Sequence, residues 1–114
     1  MAFETIDEYI AQVGGRRLAE GEWGLEVDGV EIGLRVVRGL LRAQCWAAPE
    51  ADADDLLRRN RALDLVRYAT TRSGEVWVVG DVPASDTAPV DRLLGALVDA
   101  AQAARLRDRS RYSR

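Results

Sequence analysis

The feature that most constrains the fold of this chain is a run of alternating apolar residues that begins at Trp23 and is interrupted at Asp28-Gly29. Alternation with a period of two places the apolar side chains on one face of a β-strand. An Asp-Gly pair between two such runs predicts a two-residue hairpin, because a type I′ turn needs positive φ at both central positions. Arg38-Gly39 predicts a second tight turn, which leads into a third strand over residues 40–47. The sequence therefore predicts three consecutive antiparallel strands.

The registers of these two turns also predict which side chains face the core. Residues two apart on a strand share a face, and so do residues directly opposite each other on neighbouring strands. The predicted core face carries, in pairs, Val30 with Ala47, Ile32 with Cys45, Leu34 with Ala43, and Val36 with Leu41.

A helix is predicted before the strands, over about residues 6–13. Thr5 and Glu8 have the spacing of a capping box, and apolar residues then recur at helical spacing. Gly14-Gly15 is expected to end the helix, because glycine tolerates the left-handed conformation found at helix C-termini. Residues 16–22 give no clear signal.

Two more helices are predicted further along the chain. Asp52 stands at a cap position before a helix over about residues 53–60, with acidic residues at its start and arginines at its end, which suits the helix dipole. Pro89 occupies a favourable first-turn position of a helix over about residues 89–105. The apolar stripe of this last helix consists of Val90, Leu93, Leu94, Leu97, Val98 and Ala101.

Residues 65–71 and 75–82 alternate around Arg72-Ser73-Gly74, which predicts a second hairpin. The predicted order is thus α-β-β-β-α-β-β-α. Connections within each strand group are too short for parallel crossovers, so we expect a largely antiparallel five-stranded sheet. Covered on one face by the first and third helices, it makes a two-layer α+β sandwich. Residues 1–105 form the single predicted domain.

Charge is divided unevenly between the body of the chain and its C-terminus. The net charge is −3, with 16 basic residues, all of them Arg, and 19 acidic ones. Residues 105–114 contain five of the arginines and one Asp, so the rest of the chain is more acidic than the total suggests. An acidic body repels phosphate backbones, which makes nucleic acid an unlikely partner for it.

The segment 106–114 has too little apolar content to pack, so we expect a disordered, Arg-rich tail whose removal leaves thermal stability nearly unchanged. Its arginines and Tyr112 could instead contact nucleic acid or an acidic patch, or fold back onto the acidic body. The basic residues of this segment are Arg107, Arg109, Arg111 and Arg114, after Arg105 at its border.

Composition also limits the compartment. No apolar stretch approaches the roughly 20 residues that cross a bilayer, and the N-terminus is acidic where a signal peptide is basic. The single cysteine, Cys45, cannot form an internal disulfide and stands between apolar residues, as a buried thiol in a reducing compartment does. We therefore expect a cytoplasmic protein, and the exclusive use of Arg fits a high-GC bacterial genome.

The residues that common enzymes use are nearly all missing. With no His and one Cys, nearly all of the usual catalytic bases, thiol dyads and nitrogen or sulfur metal sites are excluded. Asp52, Asp54 and Asp55 could hold a hard cation, but acids at a helix start are what the dipole favours. Gly14-Gly15 before Arg16-Arg17 lacks the Gly-Lys-Ser/Thr ending of a phosphate loop. We expect no catalytic residue, no cofactor and no metal.

The face of the sheet opposite the core face carries residues that a core does not need. Trp and Arg are enriched at interface hot spots, so this face is a candidate partner or dimer interface. Its candidate residues are Arg35, Arg42, Trp46, Arg67 and Trp77, accompanied by Val37, Leu40, Leu65 and Val79. In the alternative, the second helix covers part of this face and both tryptophans belong to a second core layer.

The middle of the chain resembles the YbjN-like and type III secretion chaperone-like group. The resemblance rests on residues 54–61, 65–69 and 73–78, where a helix ending in Asn, a strand, a glycine turn and a second strand follow one another. It extends over about residues 5–104. It implies a small acidic dimer that holds a partly unfolded client or acts as a regulator, and it supplies no catalytic residues.

We therefore expect a non-enzymatic protein that binds another protein or an extended peptide segment. The alternative is a structural or regulatory accessory subunit of a fixed complex, without a client cycle. A chaperone should copurify with mixed clients, whereas a subunit should bring one partner at a fixed ratio.

Overall fold

The structure is a computed structural model that describes residues 2–85 and 87–112. Six strands form one antiparallel sheet in the order β1-β2-β3-β4-β6-β5. The elements along the chain are α1 (Ala2–Gln12), β1 (Arg16–Ala19), β2 (Glu22–Val27), β3 (Val30–Val37), β4 (Leu40–Ala48), α2 (Ala53–Asn60), β5 (Val66–Thr70), β6 (Val76–Pro83) and α3 (Ala88–Tyr112). This is an α+β fold with an antiparallel sheet, as predicted.

Both tight turns of the first strand group are present. Asp28 and Gly29 have φ values of 51° and 78°, and Arg38 and Gly39 have 52° and 79°. Positive φ at both central positions is the property of the type I′ turn, which joins β2 to β3 and β3 to β4. The cross-strand register pairs Leu34 with Ala43, as the turn chemistry predicts.

The sheet has six strands, so the predicted count of five and the predicted order are wrong. The missed strand is β1, whose four residues are all exposed and therefore show no alternation of apolar and polar side chains. Its pairing with β2 also shifts register between Arg17 and Ala19. A short, bulged and exposed strand leaves no periodic signal in the sequence, because that signal comes from burial of one face.

The helix bounds agree with the prediction for α2 and differ for the other two. α1 begins at Ala2, so Thr5 lies inside the helix and the predicted capping box is wrong. α3 continues to Tyr112, seven residues past the predicted end, and so runs into the segment predicted to be a disordered tail. Ser113 and Arg114 lie outside the described residues. At the start of α2, the Asp52 side chain accepts a hydrogen bond from the Asp54 amide at 2.9 Å, as an N-cap does.

The core lies between one face of the sheet and the helices. The residues predicted for the core face are buried, apart from Val36, which is half-buried. α1 contributes Ile6 and Ile10 to this core, and α3 packs against β3, β4, β5 and β6. The two helices are joined by a hydrogen bond from the Tyr9 hydroxyl to the Asp91 carboxylate. The indole N–H of Trp23 donates to the Asp7 carboxylate at 2.5 Å, which fixes α1 on the sheet.

Candidate interaction surface

The face of the sheet that points away from α3 is called the outer face below. In the described part of the chain, the three helices pack on the other side. α2 belongs to that side too, because its buried Leu56 lines a cleft with Val76 and with Ala104 of α3. α2 therefore does not cover the outer face, which removes the alternative of a second core layer beneath it.

The five residues predicted for an interface all lie on the outer face, and the structure places them unevenly. Trp46 and Trp77 are directly opposite each other on β4 and β6. Arg67 is exposed on β5, two residues from the Ala69 that lies opposite Trp77, and Arg35 is exposed on β3 opposite Arg42. Arg42 is engaged within the protein, because its Nε is 2.8 Å from the Asp81 carboxylate on the neighbouring strand.

The tryptophan pair is only partly covered. Trp46 keeps 39% of its surface exposed, although large apolar side chains are usually buried. Trp77 is half-buried, and Ala69 of β5 lies opposite it on its other side. The indole N–H of Trp77 is shielded from solvent and meets no hydrogen-bond acceptor in residues 2–85 and 87–112. A buried donor without an acceptor is costly, so this N–H would gain from an acceptor brought by a partner.

A row of cross-strand partners with two glycines at its centre crosses the sheet beside the tryptophans. One line of cross-strand partners runs from β1 to β5 through Arg16, Gly24, Gly33, Gln44, Val79 and Arg67. The two glycines leave the middle of this row without side chains, and a Cβ added at Gly33 would meet no atom within 4 Å. The exposed Leu18 side chain lies over Gly24.

Two shallow depressions lie on either side of Trp77, and a third of about 230 Å³ lies further along the same face, between Leu18, Gly33 and Arg35. Of the two beside Trp77, the larger, of about 390 Å³, extends from Leu18 over Gly33 to Trp46 and Trp77. The smaller, of about 240 Å³, lies between Trp77 and the β5 residues Ala69 and Thr70. Together these two form a discontinuous furrow that runs across the strands.

Two glutamates border the larger depression. Glu26 of β2 and Glu31 of β3 are directly opposite each other and exposed. Like charges directly opposite on neighbouring strands repel each other. Neither carboxylate forms a salt bridge within the described ranges of the chain, and Arg16 is the cation on the same depression. This end of the outer face therefore carries two carboxylates and one guanidinium.

The two edges of the sheet differ in how they are protected. At β5, the Asn60 side chain accepts a hydrogen bond from the Tyr68 amide at 2.7 Å and donates one to the Tyr68 carbonyl at 3.2 Å. Asn60 thus satisfies both backbone groups at the centre of that edge. β1 has three features that are common in edge strands, because it is short, it is bulged and it carries two arginines.

The acidic cluster at the start of α2 is occupied by helix capping and ion pairs. Asp55 lies 3.0 Å from Arg59, 3.3 Å from Arg58 and 3.8 Å from Arg107 of α3. The hydrogen bond from Arg59 is the main cause that lowers the pKa of the Asp55 carboxyl. A cleft of about 590 Å³ between α2 and the end of α3 includes this cluster. Among the described residues, no group of three His, Cys, Asp or Glu side chains is arranged to hold a metal ion.

Gly14-Gly15 ends α1 and does not form a phosphate loop. Gly14 has a φ of 85°, and the amide of Gly15 donates to the Ile10 carbonyl at 2.8 Å, which is a helix C-terminal arrangement. In the part of the chain that the structure describes, no helix is both long enough and apolar enough to cross a membrane.

Sequence reasoning missed several residues that shape this surface. Leu18 lies on the unpredicted strand β1, and Gly24 and Gly33 carry no side chain whose pattern could be followed. The opposition of Glu26 and Glu31 follows from the Asp28-Gly29 turn and could have been found from the sequence.

Comparison with known proteins supports the fold. No family model matches the chain, and no curated protein matches it by sequence. Among solved structures, it is similar to the crystal structure of the Yersinia pestis type III secretion chaperone SycH in complex with a stable fragment of YscM2. The TM-score is 0.68 at 19% sequence identity, and the match covers 90% of this chain and 98% of the other. The chain therefore has a type III secretion chaperone-like fold, whereas the YbjN-like resemblance stays a prediction.

Proposed function

We propose that this protein is a non-enzymatic polypeptide-binding protein, chaperone-like or regulatory, whose contact surface is the outer face of the sheet. The observation that carries the proposal is the tryptophan pair Trp46 and Trp77, which lies on a sheet face that the described helices leave open. Trp is enriched among the hot-spot residues near the centre of protein interfaces, because it buries a large rigid area at little cost in side-chain entropy.

The fold supports the same class of function. The similar SycH structure is a chaperone in complex with a fragment of another protein. A comparable role here would use an acidic body, which attracts basic polypeptides and repels nucleic acid. We propose that the protein works in the bacterial cytoplasm as a small acidic dimer or as one partner of a heteromeric complex.

A second candidate is an accessory subunit of a fixed complex without a client cycle. It is favoured by the ion pair between Arg42 and Asp81, which fixes these two side chains on the outer face. A surface whose shape stays constant suits a single permanent partner. Copurification separates the two candidates. A chaperone should bring mixed or substoichiometric clients, whereas a subunit should bring one partner at a fixed ratio.

The proposal predicts that Trp46→Ala and Trp77→Ala each weaken association at least about tenfold, which is the effect of losing a hot-spot side chain. Association is measured on the full chain, by analytical ultracentrifugation for self-association and by quantitative copurification for other partners. Circular dichroism checks that the variants are folded. Leu57→Ala is the matched control, because Leu57 is 64% exposed on α2, away from the outer face.

The proposal fails if both tryptophan variants remain folded and associate as tightly as the wild-type protein. It also fails if Leu57→Ala weakens association as much as they do, because the contact would then lie on the helical side.

A further inference from the structure

We propose that the outer face takes an extended, proline-containing segment of another protein in the polyproline II conformation, with an Arg or Lys beside the prolines. This inference rests on the proposed function, because it names the kind of polypeptide that the same face binds. The segment would cross the strands along the furrow.

The spacing of the two depressions suits a polyproline II helix. The smaller lies on the β5–β6 pair, and the larger extends from Trp77 across β4, β3 and β2 to β1. The part of the larger depression between β3 and β4 is two strand spacings, about 9.6 Å, from the centre of the β5–β6 pair. A polyproline II helix repeats every three residues with a rise of about 3.1 Å each, or about 9.3 Å per turn. Residues i and i+3 of the segment would therefore enter the two depressions, with Trp77 as the ridge between them.

The aromatic groups match this kind of ligand. Proline rings pack well on flat indole faces, and aromatic-lined grooves are the usual receptors of proline-rich segments. A polyproline II backbone makes no internal hydrogen bonds, so its carbonyl groups are free to accept. The unpaired N–H of Trp77 is a donor for such a carbonyl, reached by a small movement of the indole, since the nitrogen is shielded in the free protein.

The charge at one end of the furrow selects a basic neighbour. Glu26 and Glu31 repel each other in the free protein, and a guanidinium or ammonium group placed between them would relieve that repulsion. Both border the depression that Trp46 lines, so the cation would lie within a few residues of the proline that enters it. An acidic segment would meet the same two carboxylates and be rejected.

The chain itself does not supply a matching segment. Its three prolines are Pro49, Pro83 and Pro89, and the nearest charged residue after each of them is acidic. Pro83 is held in β6 and Pro89 in the first turn of α3, so neither can be presented in an extended segment. This favours a different protein over a second copy as the occupant.

The test uses the full chain and synthetic nine-residue peptides, titrated by tryptophan fluorescence and calorimetry. The probe peptide has proline at every third position and arginine at both ends. In one matched peptide the arginines are replaced by glutamate, and in the other the prolines are replaced by alanine. We expect the probe to bind at least about tenfold more tightly than the glutamate peptide. It should bind at least about fivefold more tightly than the alanine peptide, because proline pre-organises the segment.

Variants of the protein locate the peptide. Trp46→Ala should weaken probe binding about tenfold, and Trp77→Phe, which removes only the N–H and the larger ring, should weaken it about threefold to tenfold. Glu26→Gln combined with Glu31→Gln should weaken it about fivefold at low salt and flatten its salt dependence. Glu8→Gln combined with Asp99→Asn also removes two negative charges, from exposed surface of α1 and α3, and should leave binding unchanged.

Several results would overturn the inference. Equal binding of the arginine and glutamate peptides would remove the role of the two glutamates. If a peptide of alternating Val and Arg binds with hydrogen-exchange protection at β1, while the proline peptides do not, the partner adds a strand at the edge and the proposed function survives. Self-association that Trp46→Ala abolishes, without any peptide binding, would make a second copy the occupant. If no peptide and no protein partner binds the outer face, both proposals fail.

Discussion

Cys45 illustrates how the position of one residue sets its chemistry. It lies on the core side of β4 and is 1% exposed, as its apolar neighbours predict. Desolvation by burial raises the pKa of the thiol from 9.0 to about 11, although the charge of Arg105 and a backbone hydrogen bond from Val78 act in the opposite direction. The reactive form of a cysteine is the thiolate, so this residue is chemically inert in the folded protein at neutral pH.

The raised pKa of Cys45 predicts a loss of stability in alkali. The folded state holds the thiol proton more tightly than the unfolded state, so its contribution to the free energy of unfolding is fully present below pH 9.0. It decreases as the pH rises from 9.0 through about 11. Urea unfolding at a series of pH values measures this. The pKa of Tyr9 is raised too, by burial and by its hydrogen bond to Asp91, and acts in the same direction.

Cys45→Ala is the control for this prediction, because the Tyr9 effect remains in that variant. Subtracting its pH profile from that of the wild-type protein isolates the thiol. A difference profile that is flat between pH 9 and 11 would contradict the prediction. Rapid reaction of the folded protein with a thiol reagent at pH 8 would contradict the burial itself.

At the scale of elements, the end of α2 protects the edge of the sheet. Asn60 is the last residue of α2, and its amide meets both backbone groups of Tyr68 at the centre of β5. The Tyr68 hydroxyl also donates to the Ala100 carbonyl of α3 at 2.7 Å. One strand residue is thus bonded to two helices. These contacts join α2, β5 and α3 at one edge of the sheet, whereas at the opposite edge β1 is linked to α1 by the ion pair between Arg17 and Asp7, whose atoms lie 4.0 Å apart.

This arrangement predicts a graded effect of substitutions at Asn60. Asn60→Ala leaves the Tyr68 amide and carbonyl without their partner and should lower the free energy of unfolding by about 1–3 kcal/mol. Asn60→Asp keeps an acceptor for the amide but loses the donor to the carbonyl, so it should fall between alanine and the wild type. Urea unfolding gives the free energies, and hydrogen exchange of the Tyr68 amide reports the local opening. Equal stability of all three proteins would show that water replaces the side chain without cost.

At the scale of the whole molecule, the C-terminal part of α3 contacts the acidic body through Arg107. The Arg107 guanidinium lies 5.6 Å from the centre of the Tyr68 ring and 3.8 Å from the Asp55 carboxylate. Of the possibilities for this segment, Arg107 therefore shows the one in which the segment folds back onto the acidic body. One ion pair, between Asp55 of α2 and Arg107 of α3, thus joins the two helices here.

These contacts revise the expectation for truncation. Removal of residues 106–114 deletes Arg107, whose cation–π contact and partly buried ion pair should together be worth about 1 kcal/mol. For a domain of this size we expect the melting temperature to drop by several degrees, roughly 3–8 °C. Removal of residues 109–114 keeps Arg107 and is the matched control, expected to have little effect. Differential scanning calorimetry measures both melting temperatures. Equal values for the two truncations would show that the contacts of Arg107 do not stabilise the protein.

Local chemistry determined much of this fold. Asp28-Gly29 and Arg38-Gly39 set both hairpin turns, and the alternation between them assigned the core face correctly, because turn type and pleat relate residues that are neighbours in the chain. The cap at Asp52 and the arginines near the end of α2 likewise predicted the bounds of that helix from short stretches of sequence.

Tertiary structure decided what depends on distant segments. β1 forms only because β2 offers it a partner, and its own residues are exposed on every side, so no burial pattern marks it. The position of β6 between β4 and β5 brings Trp46 and Trp77 together, and α2 packs toward α3 instead of over them. The outer face is open because all of the described helices pack on the other side of the sheet. Which side they pack on depends on the total apolar area buried in the whole molecule, and no local stretch of residues determines that area.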